Sequence, residues 1–530
     1  MKRALSTIAR LPLMRILVLA VLGAAISACA SLAGDRGIKA NAELDDVVFT
    51  EGYSLIYERY IRPIAVRSLA MDGLHALSDV DSGLSVDSKG GKILLRSKAK
   101  TVREFVAPAR NDASGWGELT TSVITASQTV SPRLAAADPE KLYETVFDGA
   151  LGKLDRYSRY AGAEEAREQR ADRDGFGGIG MHLGSENGVT RVVAVMPETP
   201  AERAGIKDND IIVSVENKPI AGLELRAVVG LLRGPVGSVA HFTLKRAGVD
   251  KPIEIAVKRA HIFPTSVLYK RDGDAAYIRI TRFNQGTVDS FREKVQQARH
   301  EIGAELSGLI IDLRDNPGGL LDQAVAVTDS LLGRGRIVST RGRHRGSFQK
   351  YDASGKDITQ GLPVIVLING GSASASEIMA AALQDDGRAV VVGTNSYGKG
   401  VVQSVYRLPN DGELTLTWSR FHAPSGYNLQ NLGILPTICT NTAARSARAL
   451  LKAVRGGKTG VATTLATWRR RAFPDAKTRK TLRAVCPSAR ARTRRNTDLD
   501  MKVAEAVLRD RGLYAVALKQ SSVPEIASKP

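Results

Sequence analysis

Long apolar runs, cysteines and aromatic residues are scarce in this 530-residue chain. Aromatic residues make up 5% of it, against 43% hydrophobic and 25% charged residues, and the apolar run near the N-terminus, 16–26, is 11 residues long. A helix that crosses a bilayer needs about 20 residues. The composition therefore excludes a polytopic membrane protein, a collagen and a disordered acidic chain, and the length favours several domains.

The few cysteines and histidines limit the chemistry. The three cysteines, Cys29, Cys439 and Cys486, lack the close spacing of a zinc site, and the seven histidines form no motif with a nucleophile. We therefore expect no metal site, and a Ser-His-Asp hydrolase is the weaker hypothesis.

Residues 1–28 have the layout of a secretory signal peptide. Basic residues precede the apolar run, and small residues follow it. The sequence Ile26-Ser27-Ala28-Cys29 resembles a bacterial lipobox, in which the cysteine is acylated; ordinary cleavage after Ala30 is the alternative. We predict an exported, periplasmic protein that is anchored to the membrane as a lipoprotein through Cys29.

Lipidation of Cys29 would leave Cys439 and Cys486 as an even pair. An oxidising compartment favours a disulfide between them. Two free buried thiols are the alternative.

Most of the formal charge of +20 lies in one late segment. Residues 440–497 hold 16 Lys or Arg and one acid, and the leader holds four more basic residues, so the remainder is nearly neutral. A solvated helical extension, clamped by the cysteine pair, is the favoured interpretation. Anionic lipid, an envelope polymer or an acidic adaptor protein is the alternative partner. Nucleic acid is not expected, because only Trp468 and Phe473 interrupt the basic residues.

Hydrophobic periodicity divides the chain beyond the leader. We predict a helical region over 29–165, with helical stretches over 41–110 and 139–170 and a linker over 111–132. A turn-rich stretch at 79–91 interrupts the first helical stretch. Residues 166–260 are predicted to form a small, mostly-β domain with one helix over 223–232. Its predicted strands are 189–195, 211–215, 241–245 and 253–257.

Residues 261–438 have the pattern of an α/β core. The runs 309–313 and 364–368 are continuously apolar, as in strands that are covered on both faces. After each of these strands the apolar residues have helical spacing, which predicts helices over 323–332 and 376–383. A basic extension over 439–530 completes the chain.

A candidate nucleophile follows the second of these strands. The order of residues there is Gly370-Gly371-Ser372-Ala373-Ser374-Ala375-Ser376, followed by a helical stretch. A serine on such a turn lies at a helix N-terminus, where free amides and the helix dipole stabilise an oxyanion. Serine is also a common helix cap, so this segment alone leaves a structural role open.

Two further glycine-rich segments follow apolar runs. Lys399 lies between Gly398 and Gly400, and a buried lysine with a lowered pKa can replace histidine as general base. Gly318 and Gly319 follow strand 309–313 and leave amides free for an oxyanion, although a plain strand-to-helix turn uses the same residues.

Together these segments resemble the carboxyl-terminal processing, or tail-specific, serine peptidases. The resemblance runs from about Tyr143 to Pro436 and includes Tyr157–Tyr160, Gly177–Gly180 and Tyr277–Ile280. It implies a crotonase- or ClpP-like α/β core with an inserted, mostly-β PDZ domain and helical N-terminal and C-terminal segments. It also implies a serine endopeptidase that needs no cofactor.

The resemblance assigns roles to individual residues. The family's base lies 25 residues after its nucleophile, which selects Ser374 and Lys399. Gln403 matches a glutamine that orients the lysine, and Asp385 matches an acidic position that we expect to be structural. The implied oxyanion donors are the amides of Ala375 and of Gly318 or Gly319.

The PDZ part of the resemblance implies recognition of protein or peptide substrates with exposed, apolar C-termini. The loop residues Gly178, Ile179, Gly180 and Met181 match the segment whose amides bind a terminal carboxylate, while the substrate chain adds as a strand. Arg233 is a candidate for substrate sensing, with a structural or solvated role as the alternative.

Two positions depart from the family pattern. Asp315 stands where the family usually has asparagine and adds negative charge near the expected oxyanion hole. Thr437 replaces the last residue of a Gly-Ile-x-Pro-Asp signature. A PDZ scaffold that binds protein tails without cutting them is the alternative function, and the retained spacing of Ser374, Lys399 and Gln403 argues against it.

Overall fold

The computed structural model describes residues 44–441, 446–457, 461–470, 475–489 and 498–521. The predicted signal peptide and Cys29 lie outside these residues. The chain divides into two compact units. One contains residues up to Ala166 together with Gln403–Thr417, and the other contains Arg167–Val402 and the chain from Trp418 onward.

The first unit combines helices with a three-stranded antiparallel sheet of order β1-β2-β3. Its helices are α1 (44–59), α2 (Val66–His75), α3 (Leu77–Val80), α4 (Ala113–Gln128), α5 (Pro132–Ala135) and α6 (Pro139–Gly152). Its strands are β1 (Leu84–Lys89), β2 (Lys92–Ser97), β3 (Lys100–Val106) and β4 (Arg159–Ala161). Phe49, Tyr53 and Phe147 pack ring against ring in its core.

Three predictions for this unit are wrong. The predicted helical stretch 139–170 is interrupted, because α6 ends at Gly152 and β4 precedes the next helix. Residues 84–106 form the antiparallel sheet rather than turns and a helix, because Leu84 and Val86 alternate with exposed residues along β1. The predicted linker 111–132 is largely α4, which begins after Asp112, whose side chain accepts a hydrogen bond from the Gly115 amide. Its small residues permit close packing: a Cβ on Gly117 would lie 2.3 Å from the Thr50 hydroxyl of α1.

The small β domain of the second unit has the predicted strands and helix. Its helices are α7 (Ala163–Asp174), α8 (Pro200–Arg203) and α9 (Leu225–Leu232). Its strands are β5 (Phe176–Gly178), β6 (Met181–Glu186), β7 (Val189–Val195), β8 (Ile211–Val215), β9 (Lys218–Pro219), β10 (Val239–Lys245), β11 (Ile253–Lys258) and β12 (Ala260–Ile262). The main sheet has the order β11-β10-β8-β7-β6, so β6 is an edge strand.

The α/β core follows, and its predicted strands and helices are confirmed. Its helices are α10 (Thr287–Ile302), α11 (Leu321–Asp329) and α12 (Ala375–Asp385). Its strands are β13 (Val267–Asp272), β14 (Ala275–Ile280), β15 (Gly308–Asp312), β16 (Arg336–Gly342), β17 (Gln349–Asp352), β18 (Val364–Ile368), β19 (Val390–Gly393) and β22 (Ile438–Cys439). Strands β20 (Val401–Arg407) and β21 (Glu413–His422) belong in part to the first unit, which contains residues 403–417.

The central sheet has the order β13-β14-β15-β18-β19-β22. Strand β13 is antiparallel to β14, and all other neighbours in this sheet are parallel. Because parallel strands end at the same edge of a sheet, the loops after β15, β18 and β19 come together there. Those loops carry the glycine-rich motifs.

The described part of the C-terminal extension contributes five helices to this unit. They are α13 (Ala447–Arg455), α14 (Val461–Arg470), α15 (Ala476–Ala484), α16 (Asp498–Arg509) and α17 (Arg511–Ser521). Along β15, Leu309 and Ile311 face the layer of α10, α11 and α12, whereas Ile310 faces α13, α16 and α17. The expected solvated extension is therefore wrong: the extension buries the second face of the parallel sheet.

Candidate active site

Three serines lie in the loop between β18 and α12, and the structure separates their roles. The Ser372 hydroxyl donates to the Leu313 carbonyl at 2.7 Å, and the Ser376 hydroxyl donates to the Asn316 carbonyl at 2.9 Å; both side chains are fully buried. Ser374 is half-buried. The two neighbouring hydroxyls therefore hold the loop, whereas Ser374, the predicted nucleophile, is the least buried of the three.

The backbone at Ser374 has an unusual conformation. Its φ of 56° and ψ of −113° lie in a region that non-glycine residues rarely adopt, immediately before the first residue of α12. Such strain persists only where the surroundings enforce it, and it is typical of a nucleophile on a sharp strand-to-helix turn.

The turn after β15 lies directly against this serine. A Cβ on Gly318 would lie 2.9 Å from the Ser374 Cβ and 3.0 Å from the Ala375 amide nitrogen. The turn is tied down by Asn316, whose amide group donates to the Ile280 carbonyl and accepts from the Gly318 amide at 2.8 Å. Any side chain on Gly318 would displace the serine loop, so glycine is required here.

Two backbone amides remain available beside Ser374. The amides of Gly319 and Ala375 donate to no protein acceptor within the described part of the chain, whereas the Gly318 amide is occupied by Asn316. Gly319 is exposed, and Ala375 is the first residue of α12, where the helix dipole adds positive potential. Of the two predicted glycines, Gly319 thus has the amide that is free to bind an oxyanion in this conformation.

Glu377 links the serine loop to the lysine loop. One carboxylate oxygen, Oε2, accepts from the amides of Ser374 at 2.8 Å and Lys399 at 2.9 Å. The other, Oε1, accepts from the Gly398 amide at 2.7 Å and from the Ser396 hydroxyl. The carboxylate therefore fixes the backbone positions of both predicted catalytic residues relative to each other.

The electrostatic setting of Glu377 is unusual. Its side chain is completely buried, and this desolvation raises its pKa above the ordinary value. The four donors to its oxygens oppose that rise because they stabilise the charged form. Sequence reasoning assigned Glu377 no role, although the Ser-x-x-Glu spacing of a capping box marks its reach back to the Ser374 amide.

The lysine loop follows β19 and needs its glycines. A Cβ on Gly400 would lie 2.2 Å from the Gln430 amide nitrogen, and Gly398 has a φ of 92°. The Gly400 amide donates to the Gln430 side chain at 2.9 Å. Lys399, between them, is half-buried.

Two further predicted residues have defined contacts. Gln403, on β20, donates from its side-chain amide to the Tyr157 carbonyl at 2.5 Å, and its action on Lys399 stays a prediction. Asp385 accepts from the Ser425 amide and hydroxyl and forms an ion pair with Arg469 at 2.6 Å. These contacts agree with the expected structural role of Asp385.

Asp315 occupies the same turn as the predicted oxyanion glycines. It has a φ of 59°, and its carboxylate accepts from the Asn369 side-chain amide at 3.1 Å, while its own amide donates to the Asn369 side chain at 2.9 Å. Asparagine and aspartate tolerate this left-handed conformation better than most residues. Aspartate in place of the family's asparagine at position 315 therefore fits the local backbone conformation.

The small β domain contains an apolar pocket of about 290 Å3. It lies at the edge strand β6 and helix α9 and is lined on its apolar side by Ile179, Met181, Leu183, Met196, Val229 and Leu232. The loop at Gly180, with a φ of 86°, is held by the Thr199 hydroxyl, which donates to the Gly180 carbonyl. An exposed edge strand beside a pocket is the arrangement that binds an extended peptide by strand addition.

Arg233 lines the same pocket as the predicted loop. Its guanidinium lies 4.0 Å from the centre of the Phe176 ring, and burial lowers its pKa while the carboxylates of Glu168 and Asp172 oppose that change. Its Nε has no hydrogen-bond partner among the described residues. A half-buried cation in an apolar pocket favours an anionic ligand.

Cys439 and Cys486 form a disulfide, with their Cα atoms 5.8 Å apart. No described group of three or more His, Cys, Asp or Glu side chains is arranged to hold a metal ion. Among the described helices, none is long and apolar enough to span a membrane.

Comparison with known proteins gives two family matches. Residues 274–440 match the model of peptidase family S41, and residues 191–246 match that of a PDZ domain. The carboxy-terminal-processing protease of Bartonella bacilliformis is 43% identical over 303 residues, which are 57% of this chain and 70% of that protein.

Two further similarities are more distant. A probable CtpA-like serine protease of Staphylococcus aureus is 33% identical over 309 residues, which are 58% of this chain and 61% of that protein. Among solved structures, a photosystem II D1 C-terminal processing protease is 21% identical, with a TM-score of 0.36, over 74% of this chain and 92% of that one.

Proposed function

This chain belongs to peptidase family S41, the carboxy-terminal-processing serine proteases, and we propose that it is an exported serine endopeptidase that cleaves peptide bonds by a Ser374-Lys399 mechanism. The observation that carries the proposal is the Glu377 carboxylate, which accepts from the amides of both Ser374 and Lys399. A decayed, non-catalytic scaffold has no need to keep a serine in a strained backbone conformation and tie it to a lysine.

The proposed reaction begins with acyl transfer. The Ser374 hydroxyl oxygen attacks the scissile carbonyl carbon while the neutral Lys399 amine takes the hydroxyl proton. The amides of Ala375 and Gly319 stabilise the oxyanion that forms, and each donor contributes about 3 to 4 kcal/mol to the transition state. As the C–N bond breaks, the Lys399 ammonium protonates the leaving amine. Gln403 is assigned to orient the lysine.

Deacylation reverses these roles. A water molecule attacks the acyl-enzyme, Lys399 takes its proton, and the proton returns to Ser374 as the acid product leaves. The lysine must be neutral at the start of each step. Each unit by which its pKa is lowered requires about 1.36 kcal/mol of differential stabilisation from the site.

We assign substrate capture to the pocket of the PDZ domain. The amides of the loop Gly178–Met181 would bind a terminal carboxylate, Arg233 would respond to that charge, and the last side chain would enter the apolar pocket. The substrate class is therefore an unstructured protein with an apolar C-terminus. Export and anchoring through an acylated Cys29 complete the proposal, and an adaptor protein, an anionic lipid or an envelope polymer is a possible partner of the basic extension.

The test uses an unfolded reporter protein with an apolar tail, offered with a free or an amidated C-terminus. We expect wild type to cleave the free-tail reporter faster, and Ser374→Ala and Lys399→Met to lose about 10⁴-fold or more in turnover while still binding the tail. Equal cleavage by wild type and Ser374→Ala would contradict the proposal. Tail binding by wild type without any cleavage would favour a scaffold.

A further inference from the structure

The part of the extension around α15 contacts the loops of the candidate active site. This part lies beyond residue 440, where the family match ends. It is attached to the core by the disulfide between Cys439 and Cys486, and Cys486 lies just after α15 in the chain. The contacts made by Arg483, three residues before Cys486, are therefore a feature that the family match does not contain.

Arg483 binds two backbone carbonyls of the core. One guanidinium nitrogen donates to the Leu432 carbonyl at 2.5 Å, and the other donates to the Ser396 carbonyl at 3.1 Å. Gly433 makes room for this contact, because a Cβ there would lie 3.0 Å from the guanidinium. The planar guanidinium suits two acceptors at once, which a lysine ammonium does not reproduce.

Ser396 transmits this contact to the catalytic loops. Its carbonyl accepts from Arg483, and its hydroxyl donates to Glu377 and accepts from the Ile434 amide at 2.7 Å. Glu377 in turn holds the amides of Ser374 and Lys399. A continuous set of hydrogen bonds therefore leads from the extension to both predicted catalytic residues.

The opposite charges of Arg483 and Glu377 also link the extension to the candidate site. Arg483 is half-buried, and burial lowers its pKa, whereas the negative charge of Glu377 acts in the opposite direction. A cation near a completely buried carboxylate stabilises the charged form of that carboxylate. The charged form is the one whose two oxygens can accept all four of its hydrogen bonds.

The end of the same segment also forms hydrogen bonds with residues next to the serine loop and the lysine loop. The Ser488 hydroxyl donates to the Asn395 carbonyl at 2.7 Å, just before the lysine loop. The Ala489 carbonyl accepts from the Gly370 amide at 2.7 Å, at the start of the serine loop. Arg483 is thus one of several contacts by which this short segment spans the two loops.

We propose that Arg483 is a positioning residue of the peptidase, which holds the Ser396–Lys399 loop and, through Glu377, the Ser374 turn in their catalytic arrangement. The proposal rests on the Ser374-Lys399 function proposed above. It assigns to the basic extension a part in proteolysis that does not require an anionic partner. In this proposal, the positive charge of Arg483 serves contacts within the protein.

The first experiment compares Arg483→Gln with Lys480→Ala in the full-length protein. Lys480 is an exposed residue of the same helix with the same charge, and its side chain makes no hydrogen bond or ion pair within the described part of the chain, so it controls for loss of charge and for changes in α15. We expect Arg483→Gln to lower kcat by about 10- to 100-fold with KM unchanged, because small misplacements of reacting groups cost rates of this size. Lys480→Ala is expected to keep wild-type kcat and KM.

Chemical rescue separates positioning from a general loss of structure. Millimolar guanidinium chloride, added to Arg483→Ala, should restore part of kcat by occupying the vacated place between the two carbonyls, and should have no such effect on Lys480→Ala. If the Arg483 variants do not fold, Ser488→Ala gives the test, with an expected several-fold decrease in kcat. Wild-type kcat in the folded Arg483 variants, a kcat loss without rescue, or wild-type kcat in Ser488→Ala would overturn the proposal.

The Ser374→Ala control separates a failure of the positioning role of Arg483 from a failure of the Ser-Lys mechanism. If Ser374→Ala is inactive and Arg483→Gln is fully active, the positioning role fails and the proposed peptidase stands. If Ser374→Ala retains activity, the Ser-Lys mechanism itself fails.

Discussion

Glu377 is the residue on which the arrangement of the candidate site depends most. It is completely buried, and all of its recorded hydrogen bonds come from the serine turn and from the loop that carries Lys399. A carboxylate has two acceptor oxygens, so it can receive donors from both loops at once. This is why an acidic residue, rather than an amide, suits the first turn of α12.

Replacing Glu377 with glutamine tests this role. Glutamine has the same shape but presents an NH2 group where one carboxylate oxygen accepted two donors, so those donors lose their partner and face another donor. We expect kcat to fall about 10- to 100-fold and the protein to unfold at a lower temperature. Glu305→Gln, an exposed residue, serves as the control in the same kinetic and thermal measurements. Wild-type kcat in Glu377→Gln would show that the carboxylate does not organise the two loops.

Among individual residues, those that belong to a sequence motif could be predicted from the sequence. Ser374 and Lys399 follow from a fixed spacing in a family pattern. The proposed roles of Glu377 and Arg483 depend on contacts with loops that are more distant in the chain. Only the capping-box spacing marks Glu377 locally, and nothing local to Arg483 distinguishes it from the other basic residues around it. Such contacts become visible only when strand ends of the folded sheet bring the loops together.

At the scale of elements, the regular parts of the chain were the predictable ones. Strand Val364–Ile368 is continuously apolar, Val189–Val195 is rich in β-branched residues, and turn residues bound both. The first unit was harder, because short apolar runs such as 93–95 fit a helix or a strand equally well. Helix α4 was missed because its Ser, Thr and Gly residues are typical of loops, although here they allow close helix packing.

The helix α14 provides a test of how the basic extension is attached. Trp468 is fully buried and packs in the same core cluster as Val461 and Leu465 of its own helix and Leu383 of α12. We expect Trp468→Ala to lower the free energy of unfolding by about 3 to 5 kcal/mol, as for other large-to-small core changes. Chemical denaturation measures this, and the exposed Thr463→Ala on the same helix is the control. An unchanged unfolding free energy would mean that α14 is a solvated appendage after all.

At the scale of the whole molecule, the basic extension is part of the peptidase unit. Its helices α13, α16 and α17 bury one face of the central sheet, and its basic residues include partners for core acids, such as Arg469 for Asp385. Buried ion pairs of this kind fix a specific arrangement more than they add stability. The uneven distribution of charge in the sequence therefore reflects, in part, contacts within the protein.

The disulfide tests how far the extension contributes to stability. Cys439 and Cys486 are 47 residues apart in sequence, and a bridge over a loop of that length stabilises the folded state by about 4 kcal/mol in the chain-entropy model. We expect the Cys439→Ser, Cys486→Ser double variant to lose stability of this order. Wild type in reducing agent should match the double variant, which should itself be insensitive to reductant. Equal stability of reduced and oxidised wild type would contradict this expectation.

The central claim is that Lys399 activates Ser374 for attack on a carbonyl. The most direct measurement labels the full-length protein with a fluorophosphonate, which reacts with activated serine hydroxyls, and locates the adduct by peptide mass mapping. We expect a single adduct on Ser374 that forms rapidly in wild type and is lost in Lys399→Met, while the folded structure is retained. An adduct on Ser372 or Ser376 instead, or undiminished labelling of Ser374 in Lys399→Met, would contradict it.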